Sequence, residues 1–282
     1  MAFQAEISRS NPTCFLFLVD QSSSMVEPIM GVPGNPRKAE FVADALNKTI
    51  ANLVVTASKD TDVWRYYQIG VIGYGKTVQP ILAGNLEGER LVWIDEIYSN
   101  PLRIDERTVK ESDGAGGIVE VKTKFPVWFE PMANGQTPMC AALELASDLL
   151  AEWVSANRMS YPPTIINLTD GQANDGDPRI QAKKLQSLAT SDGPAMLMTL
   201  HVSSNQFSKQ VFFPNNSESL PDDPSRLMFE MSSTLPLTNK MKATAEAWNV
   251  TLPEGAKAIV YNAGIESIVK ALDIGTRPAN MR

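Results

Sequence analysis

Short runs of apolar residues alternate along the chain with segments in which apolar residues recur every three or four positions. The runs are typical of parallel strands buried on both faces, and the periodic segments are typical of the helices that connect them. We therefore predict a doubly wound α/β fold, Rossmann-like, with a mostly parallel sheet, helices on both faces and one antiparallel edge strand. The predicted strands cover residues 14–19, 66–74, 78–82, 164–168 and 196–202, with 66–74 and 78–82 forming the antiparallel edge.

Five segments carry the helical periodicity. The first places Phe41, Ala45 and Leu46 on one apolar face, and the second does the same with Leu143 and Leu150. The predicted helices cover residues 37–57, 138–156, 180–190, 237–248 and 264–272. The short apolar stretch 227–231 is interpreted as one more strand.

The pattern of charged and apolar residues is different between residues 83 and 130. There the two kinds of residue alternate around a glycine cluster at 113–117. Such alternation with glycines in the middle is typical of a β-hairpin. We predict that residues 1–282 form a single domain and that about 83–130 is an insertion containing this hairpin.

Composition excludes several classes of function. The 282 residues include 25 Lys and Arg against 32 Asp and Glu, a formal net charge of −7, which argues against nucleic-acid binding. Cys14 and Cys140 lie in apolar surroundings, where reduced thiols in a cytoplasmic protein are the simplest interpretation. Residues 1–13 lack the features of a signal peptide and the run 14–19 is too short to cross a bilayer, so we expect no membrane insertion. With His201 as its single histidine, the chain is poorly equipped for Ser/His/Asp chemistry, and we expect no enzyme activity.

Three polar loops are predicted at the carboxyl edge of the sheet, where open α/β folds bind ligands. The loops are 20–24, 135–138 and 169–171, and each alone also fits a turn or a helix cap. Together they offer two carboxylates and three hydroxyls, which are hard oxygen ligands suited to Mg²⁺, with Mn²⁺ or Ca²⁺ as alternatives. The candidate metal ligands are Asp20, Ser22, Ser24, Thr137 and Asp170.

These motifs resemble those of von Willebrand factor type A domains, also called integrin I-like domains, which carry a metal-ion-dependent adhesion site. Asp20, Ser22 and Ser24 match the family's Asp-x-Ser-x-Ser, Thr137 matches its lone threonine, and residues 169–171 match its Thr-Asp-Gly. The resemblance covers about residues 13–272. It implies an intact adhesion site in which an Asp or Glu carboxylate of a protein partner completes the metal's coordination.

A further likeness lies in residues 128–140, which look like bacterial members of the family that occur beside protein kinase and phosphatase genes. The resemblance therefore implies a bacterial interaction module in a signalling or stress and defence system. The long segment 83–130 departs from compact members of the family.

Two other functions compete with this interpretation. Residues 70–77, GVIGYGKT, satisfy the pattern of a phosphate-binding P-loop. Such a loop needs a strand before its first glycine and a helix starting near Lys76, whereas the apolar strand continues past Gly70 and Pro80 disfavours a helix there. The remaining alternative is a structural scaffold with an incidental metal site.

Overall fold

The computed structural model describes residues 3–30, 32, 34–112, 117–204, 209–276 and 280–281. Its strands, in chain order, are β1 (Glu6–Ile7), β2 (Thr13–Asp20), β3 (Ser58–Lys59), β4 (Asp62–Val63), β5 (Tyr67–Tyr74), β6 (Val78–Pro80), β7 (Val92–Trp93), β8 (Arg103–Ser112), β9 (Ile118–Val127), β10 (Thr164–Thr169), β11 (Ala189–Thr190), β12 (Gly193–Pro194), β13 (Met196–His201), β14 (Val211–Phe212), β15 (Ile259–Tyr261) and β16 (Asn280–Met281). Its α-helices are α1 (Lys38–Ala57), α2 (Ile94–Ser99), α3 (Met139–Ala156), α4 (Pro178–Gln186), α5 (Asp223–Met231), α6 (Asn239–Ala247) and α7 (Ile265–Thr276).

The main sheet has eight strands in the order β14-β15-β13-β10-β2-β5-β6, with β7 also paired to β5. The four pairings from β15 to β5 are parallel, which confirms the predicted doubly wound α/β fold. The predicted antiparallel edge strand is confirmed as β6, and the structure adds further antiparallel strands, one of them at the opposite end of the sheet. β6 and β7 pair with β5, and β14 pairs with β15. β7 and β14 have two residues each, too few for an alternating pattern to show in the sequence.

Each central strand is buried on both faces, as β2 illustrates. Phe15 and Phe17 point into a core shared with α1 and α7, whereas Leu16 and Leu18 point into a core shared with α3 and α4. Because both faces of the strand are covered, its sequence is continuously apolar rather than alternating. This arrangement leaves the ends of the strands as the places where polar side chains reach the surface.

The segment predicted as an insertion, 83–130, contains α2, β7 and the predicted hairpin, which is formed by β8 and β9. Part of the segment belongs to the main sheet, because β7 pairs with β5. The hairpin's glycine cluster lies largely outside the described residues. At the base of the hairpin, Trp128 and Phe129 are buried in the core.

One predicted strand is wrong, because residues 227–231 are the C-terminal half of α5. Besides β7 and β14, the main sheet contains one more strand that was not predicted, β15. A capping box begins α5, in which Asp222 accepts a hydrogen bond from the backbone N–H of Ser225. Asp222 and Pro224 are sequence signals for the start of a helix, but the prediction relied on the apolar stretch alone.

A helix that crosses a bilayer must be long and apolar along its whole length. Within the described residues, no helix combines the length and the apolar character needed to cross a bilayer.

Candidate metal centre

The candidate site lies where β2 and β10 end side by side. The two strands are parallel, with Val19 opposite Leu168, so the residues that follow them emerge at the same edge. Asp20 is the last residue of β2, and Asp170 comes directly after β10. The topology therefore brings together two carboxylates that lie far apart in the sequence.

Asp20 is a buried carboxylate held by hydrogen bonds at both oxygens. Its Oδ1 accepts the backbone N–H of Ser22 at 2.9 Å, and its Oδ2 accepts the hydroxyl of Thr169 at 2.8 Å. Burial is the main reason that the pKa of Asp20 is raised to about 6, with the charge of Asp170 adding to the effect and hydrogen bonds from Ser22 opposing it. A buried carboxylate in this situation is stabilised by a nearby cation.

A chain of hydrogen bonds joins the first loop to the third. After Asp20 the chain turns into a short 3₁₀ helix, Ser23–Val26, which places the hydroxyls of Ser22 and Ser24 3.0 Å apart. The Ser24 hydroxyl donates to Oδ1 of Asp170 at 2.8 Å. Four of the five predicted ligands, Asp20, Ser22, Ser24 and Asp170, thus lie within one connected polar cluster.

Lys38 extends the same cluster from the first turn of α1. Its Nζ donates to Oδ2 of Asp170 at 2.8 Å and to Oε2 of Glu27 at 2.7 Å. The side chains of Lys38 and Asp170 are only 6% and 3% exposed, whereas that of Glu27 is 53% exposed. Burial lowers the pKa of Lys38, but the hydrogen bonds and charges of Asp170 and Glu27 outweigh it and leave the pKa raised.

Lys38 lies outside the motifs that predict the site from the sequence. The signal was present, because Lys38, Phe41 and Ala45 follow the three- and four-residue spacing of the buried face of α1. A lysine on an apolar stripe indicates a buried charge that requires an acidic partner.

The threonine loop is attached to the first loop by two backbone hydrogen bonds and by one to the Ser23 hydroxyl. Gly135 and Ser23 exchange two hydrogen bonds, of 3.0 and 3.1 Å, and the N–H of Asn134 donates to the carbonyl of Gln21 at 2.6 Å. Gly135 has φ of +90°, and a Cβ there would lie 2.4 Å from the backbone N of Lys76. Only glycine fits that close approach without strain.

Asn174 and Asp175 attach the third loop to Thr137 and to the helix that follows it. The backbone N–H of Thr137 donates to Oδ1 of Asn174 at 2.9 Å, and the N–H of Asn174 donates back to the carbonyl of Thr137 at 3.2 Å. Asp175 accepts the N–H groups of Cys140 and Ala141 at the start of α3, at 3.1 and 2.9 Å. These hydrogen bonds fix the backbone of Thr137 against the third loop, and the connected cluster of Asp20, Ser22, Ser24 and Asp170 does not include its hydroxyl.

The sequence gives only a weak indication that Asn174 and Asp175 hold the Thr137 loop and the start of α3. Asn174 and Asp175 precede Gly176 in a stretch that resembles an ordinary solvated turn. Asp175 accepts the N–H groups of residues that lie 34 and 35 positions earlier in the chain, so local capping rules do not find it.

His201, the single histidine, supports the edge from β13 rather than facing solvent. Its ring stacks on Tyr261 at a centroid distance of 4.6 Å, and its Nδ1 accepts the N–H of Asn262 at 3.3 Å. Burial is the main reason that its pKa is lowered to about 4, and the negative charges of Asp170 and Asp222 oppose the shift. The stacking and the hydrogen bond hold this buried imidazole against the β15 side of the sheet.

The donors fit a divalent cation with a preference for oxygen. Two carboxylates and two hydroxyls form the connected cluster, and the Thr137 loop is fixed beside them. Across the residues that the structure describes, no three His, Cys, Asp or Glu side chains group together to hold a metal. A metal at this edge would therefore need the hydroxyls as ligands. Because hydroxyls are neutral, such a site leaves part of the ion's positive charge unbalanced.

The P-loop pattern lies in a different local structure from the one a nucleotide requires. Gly70 and Gly73 are inside β5, and the chain passes from Gly75 through a turn into β6. Residues 70–80 are all described, and they contain no helix whose N-terminus could hold a phosphate. The geometry does not support nucleotide binding by this segment.

Comparisons with known proteins find similar folds and no similar sequence. No protein-family model matches the chain, and no curated protein matches it. Solved structures that resemble it include a von Willebrand factor type A protein of Catenulispora acidiphila, at 16% identity and a TM-score of 0.38, covering 68% of this chain and 34% of that one. A manganese-loaded TRAP protein of Plasmodium vivax matches at 18% identity and a TM-score of 0.39, covering 90% and 80% of the two chains.

A third similar structure is the vWF domain of the pili tip protein Mfa5 of Porphyromonas gingivalis, at 12% identity and a TM-score of 0.33, covering 58% of this chain and 39% of that one. The present chain spans about a third of the length of the Catenulispora protein. The three identities are 18% or lower, and the three TM-scores are 0.39 or lower. At such identities and scores they transfer no ligand, partner or activity to this chain.

Proposed function

We propose that this protein is an interaction module that binds a protein partner through a divalent cation. Asp20, Ser22, Ser24, Thr137 and Asp170 would hold Mg²⁺, or Mn²⁺ or Ca²⁺ in its place, and an Asp or Glu carboxylate of the partner would complete the coordination. The observation that carries the proposal is the 2.8 Å hydrogen bond from the Ser24 hydroxyl to Asp170, across 146 residues of sequence. It supports a site shared by the first and third loops.

Each group at the edge has a binding role rather than a catalytic one. The carboxylates and hydroxyls orient and hold the ion, and the bound ion supplies an electron-poor centre for an anionic oxygen. The single histidine, His201, is buried and its Nδ1 already accepts a hydrogen bond, so it does not form the hydroxyl and imidazole pair of a nucleophilic site. We therefore propose a binding function and no enzyme activity.

The surface around the site suits a protein rather than a small anion. Val26 follows Ser24 in the short 3₁₀ helix, and Met132 lies in the loop that leads to Thr137. Their side chains are 48% and 53% exposed. Apolar side chains on the loops that carry the polar site are suited to a partner that offers a carboxylate within an apolar surface.

The setting of this function is proposed from the sequence. Residues 128–140 resemble bacterial members found beside kinase and phosphatase genes, so we propose a bacterial signalling or stress and defence system. Cys14 and Cys140 are buried and unpaired, which supports a reducing compartment such as the cytoplasm.

The test is a calorimetric titration with Mg²⁺ and with Mn²⁺ of the wild type, Asp20→Ala and the control Asp148→Ala, whose carboxylate lies on the exposed side of α3. We expect saturable binding by the wild type and the control, and none by Asp20→Ala. Absence of saturable binding by the wild type, or binding kept by Asp20→Ala, would overturn the metal site.

Partner binding is tested separately, by affinity capture with Mg²⁺ and with a chelator. We expect a specific protein to be captured by the wild type with Mg²⁺, and lost with the chelator or with Asp20→Ala. A scaffold with an incidental metal would capture its partners equally in all three conditions, and that result would replace the proposal.

A further inference from the structure

Lys38 places a positive charge inside the polar cluster, in addition to any metal. Its ammonium lies 2.8 Å from Asp170, a carboxylate that Ser24 links to the first loop. Because Lys38 and Asp170 are almost fully buried, water screens their interaction little.

This position is unfavourable for a lysine unless the carboxylates compensate it. The N-terminus of a helix carries a partial positive charge, which opposes a cation in the first turn of α1. Burial of an ammonium group adds a desolvation cost. Asp170 and Glu27 accept its hydrogen bonds, and they are the ion-pair partners that the structure gives it.

The charge balance of the site depends on this residue. Asp20 and Asp170 together match the two charges of a divalent ion, so without Lys38 the loaded site is neutral. With Lys38 the loaded site keeps one net positive charge, and the empty site has one excess negative charge instead of two. Glu27 lies on the outer side of the ammonium and is half exposed, so solvent weakens its contribution.

We propose that Lys38 is a built-in counter-ion that weakens metal binding, stabilises the metal-free site and leaves the loaded site positive toward an acidic ligand. This inference rests on the proposed function, since it concerns the same site. It assigns to Lys38 a tuning role, because the ammonium is not a metal ligand.

The experiment compares the wild type with Lys38→Met, Lys38→Gln and Lys38→Arg. Lys184→Met is the matched control, since Lys184 pairs with Asp148 at 3.6 Å on an exposed surface. Mn²⁺ alone is the probe, titrated calorimetrically, and melting temperatures are recorded with and without Mn²⁺.

We expect the two charge-free variants to bind Mn²⁺ with a Kd about tenfold lower than the wild type. Without Mn²⁺, we expect the melting temperatures of these variants to be lower than that of the wild type by about 3 °C or more. At saturating Mn²⁺, their melting temperatures should equal that of the wild type. Lys38→Arg and the control should have the wild-type Kd. The Mn²⁺-loaded charge-free variants should bind acetate, a substitute for the partner's carboxylate, about threefold more weakly.

Several results would overturn the role of Lys38. One is an unchanged or higher Kd for Mn²⁺ in the charge-free variants, which would make Lys38 a structural ion pair only. Another is failure of both variants to fold even at saturating Mn²⁺, because the ion should replace the lost charge. Failure of the wild type to bind Mn²⁺ at all would instead overturn the proposed function.

Discussion

The carboxyl edge of the main sheet and the β8–β9 arm are both rich in charged residues, but they are held in different ways. At the edge, hydrogen bonds join Lys38 to Asp170 and Thr169 to Asp20, pairs separated by 132 and 149 positions, and these bonds are partly buried and buried, respectively. The arm is the hairpin of β8 and β9. In it, Lys122 pairs with Glu106 across the two strands, Arg103 pairs with Asp105 along β8, and both pairs are exposed.

The difference shows where a charged residue matters energetically. Exposed pairs contribute little because water screens them, whereas buried groups must be matched by partners or by a bound ion. We therefore expect substitutions at the edge to change both stability and metal binding, and substitutions in the arm to change neither by much. The following four comparisons test this contrast, from the largest expected effect to the smallest.

Asp170→Asn keeps the shape of the side chain and removes its charge. We expect Mn²⁺ affinity to fall by about 100-fold or more, since a candidate ligand carboxylate is lost. Calorimetric titration measures the change, with Asp148→Asn on α3 as the control. An affinity within about threefold of the wild type would mean that Asp170 is not part of a metal site.

Gly135→Ala forces a Cβ into the backbone of Lys76 at a residue with φ of +90°. We expect a loss of about 2 kcal/mol or more in the free energy of unfolding, together with weaker Mn²⁺ binding, because the threonine loop must move. Gly88→Ala is the matched control, since Gly88 has φ of +81° and nothing within 4 Å of an added Cβ. Equal losses in the two variants in urea unfolding would show that the close approach at Gly135 is unimportant.

Asp175→Ala removes the carboxylate that caps α3 from the third loop. We expect about 1–2 kcal/mol of destabilisation from the lost cap and a severalfold weaker Mn²⁺ affinity from the loosened Thr137 loop. Asp177→Ala removes the cap of α4, where Asp177 accepts the N–H of Arg179 at 3.0 Å. That control should lose stability and keep its Mn²⁺ affinity, and a matching loss of affinity would remove the special role of Asp175.

Arg107→Ala breaks the bidentate pair between the arm and α1, in which Arg107 donates to both oxygens of Asp44 at 2.9 Å. The pair is exposed, so we expect less than about 1 kcal/mol of destabilisation and no change in Mn²⁺ affinity. Urea unfolding and calorimetry measure the two quantities. A large effect on Mn²⁺ affinity would show that the arm and the metal edge are coupled.

The same contrast explains how much the sequence alone could predict. β2, β10 and β13 were predicted because each is a continuous apolar run, and α1 and α3 because each has a long periodic face. β15 was missed because it has only three residues, too few to show a pattern. The five predicted metal ligands could be proposed because each lies in a recognisable motif next to a strand or helix end.

The residues around those ligands were harder to find, since their roles depend on contacts between distant segments. Lys38 and Asp175 act on residues 132 and 34 to 35 positions away, and neither lies in a motif. The stacking of His201 on Tyr261 likewise depends on the pairing of two distant strands, β13 and β15.

The most direct test of the account is a crystal of the wild-type protein grown with Mn²⁺, measured for the anomalous scattering of manganese. The account predicts one strong peak at the carboxyl edge of the sheet, among Asp20, Ser22, Ser24, Thr137 and Asp170. A fully occupied lattice with no manganese peak among these side chains would contradict it.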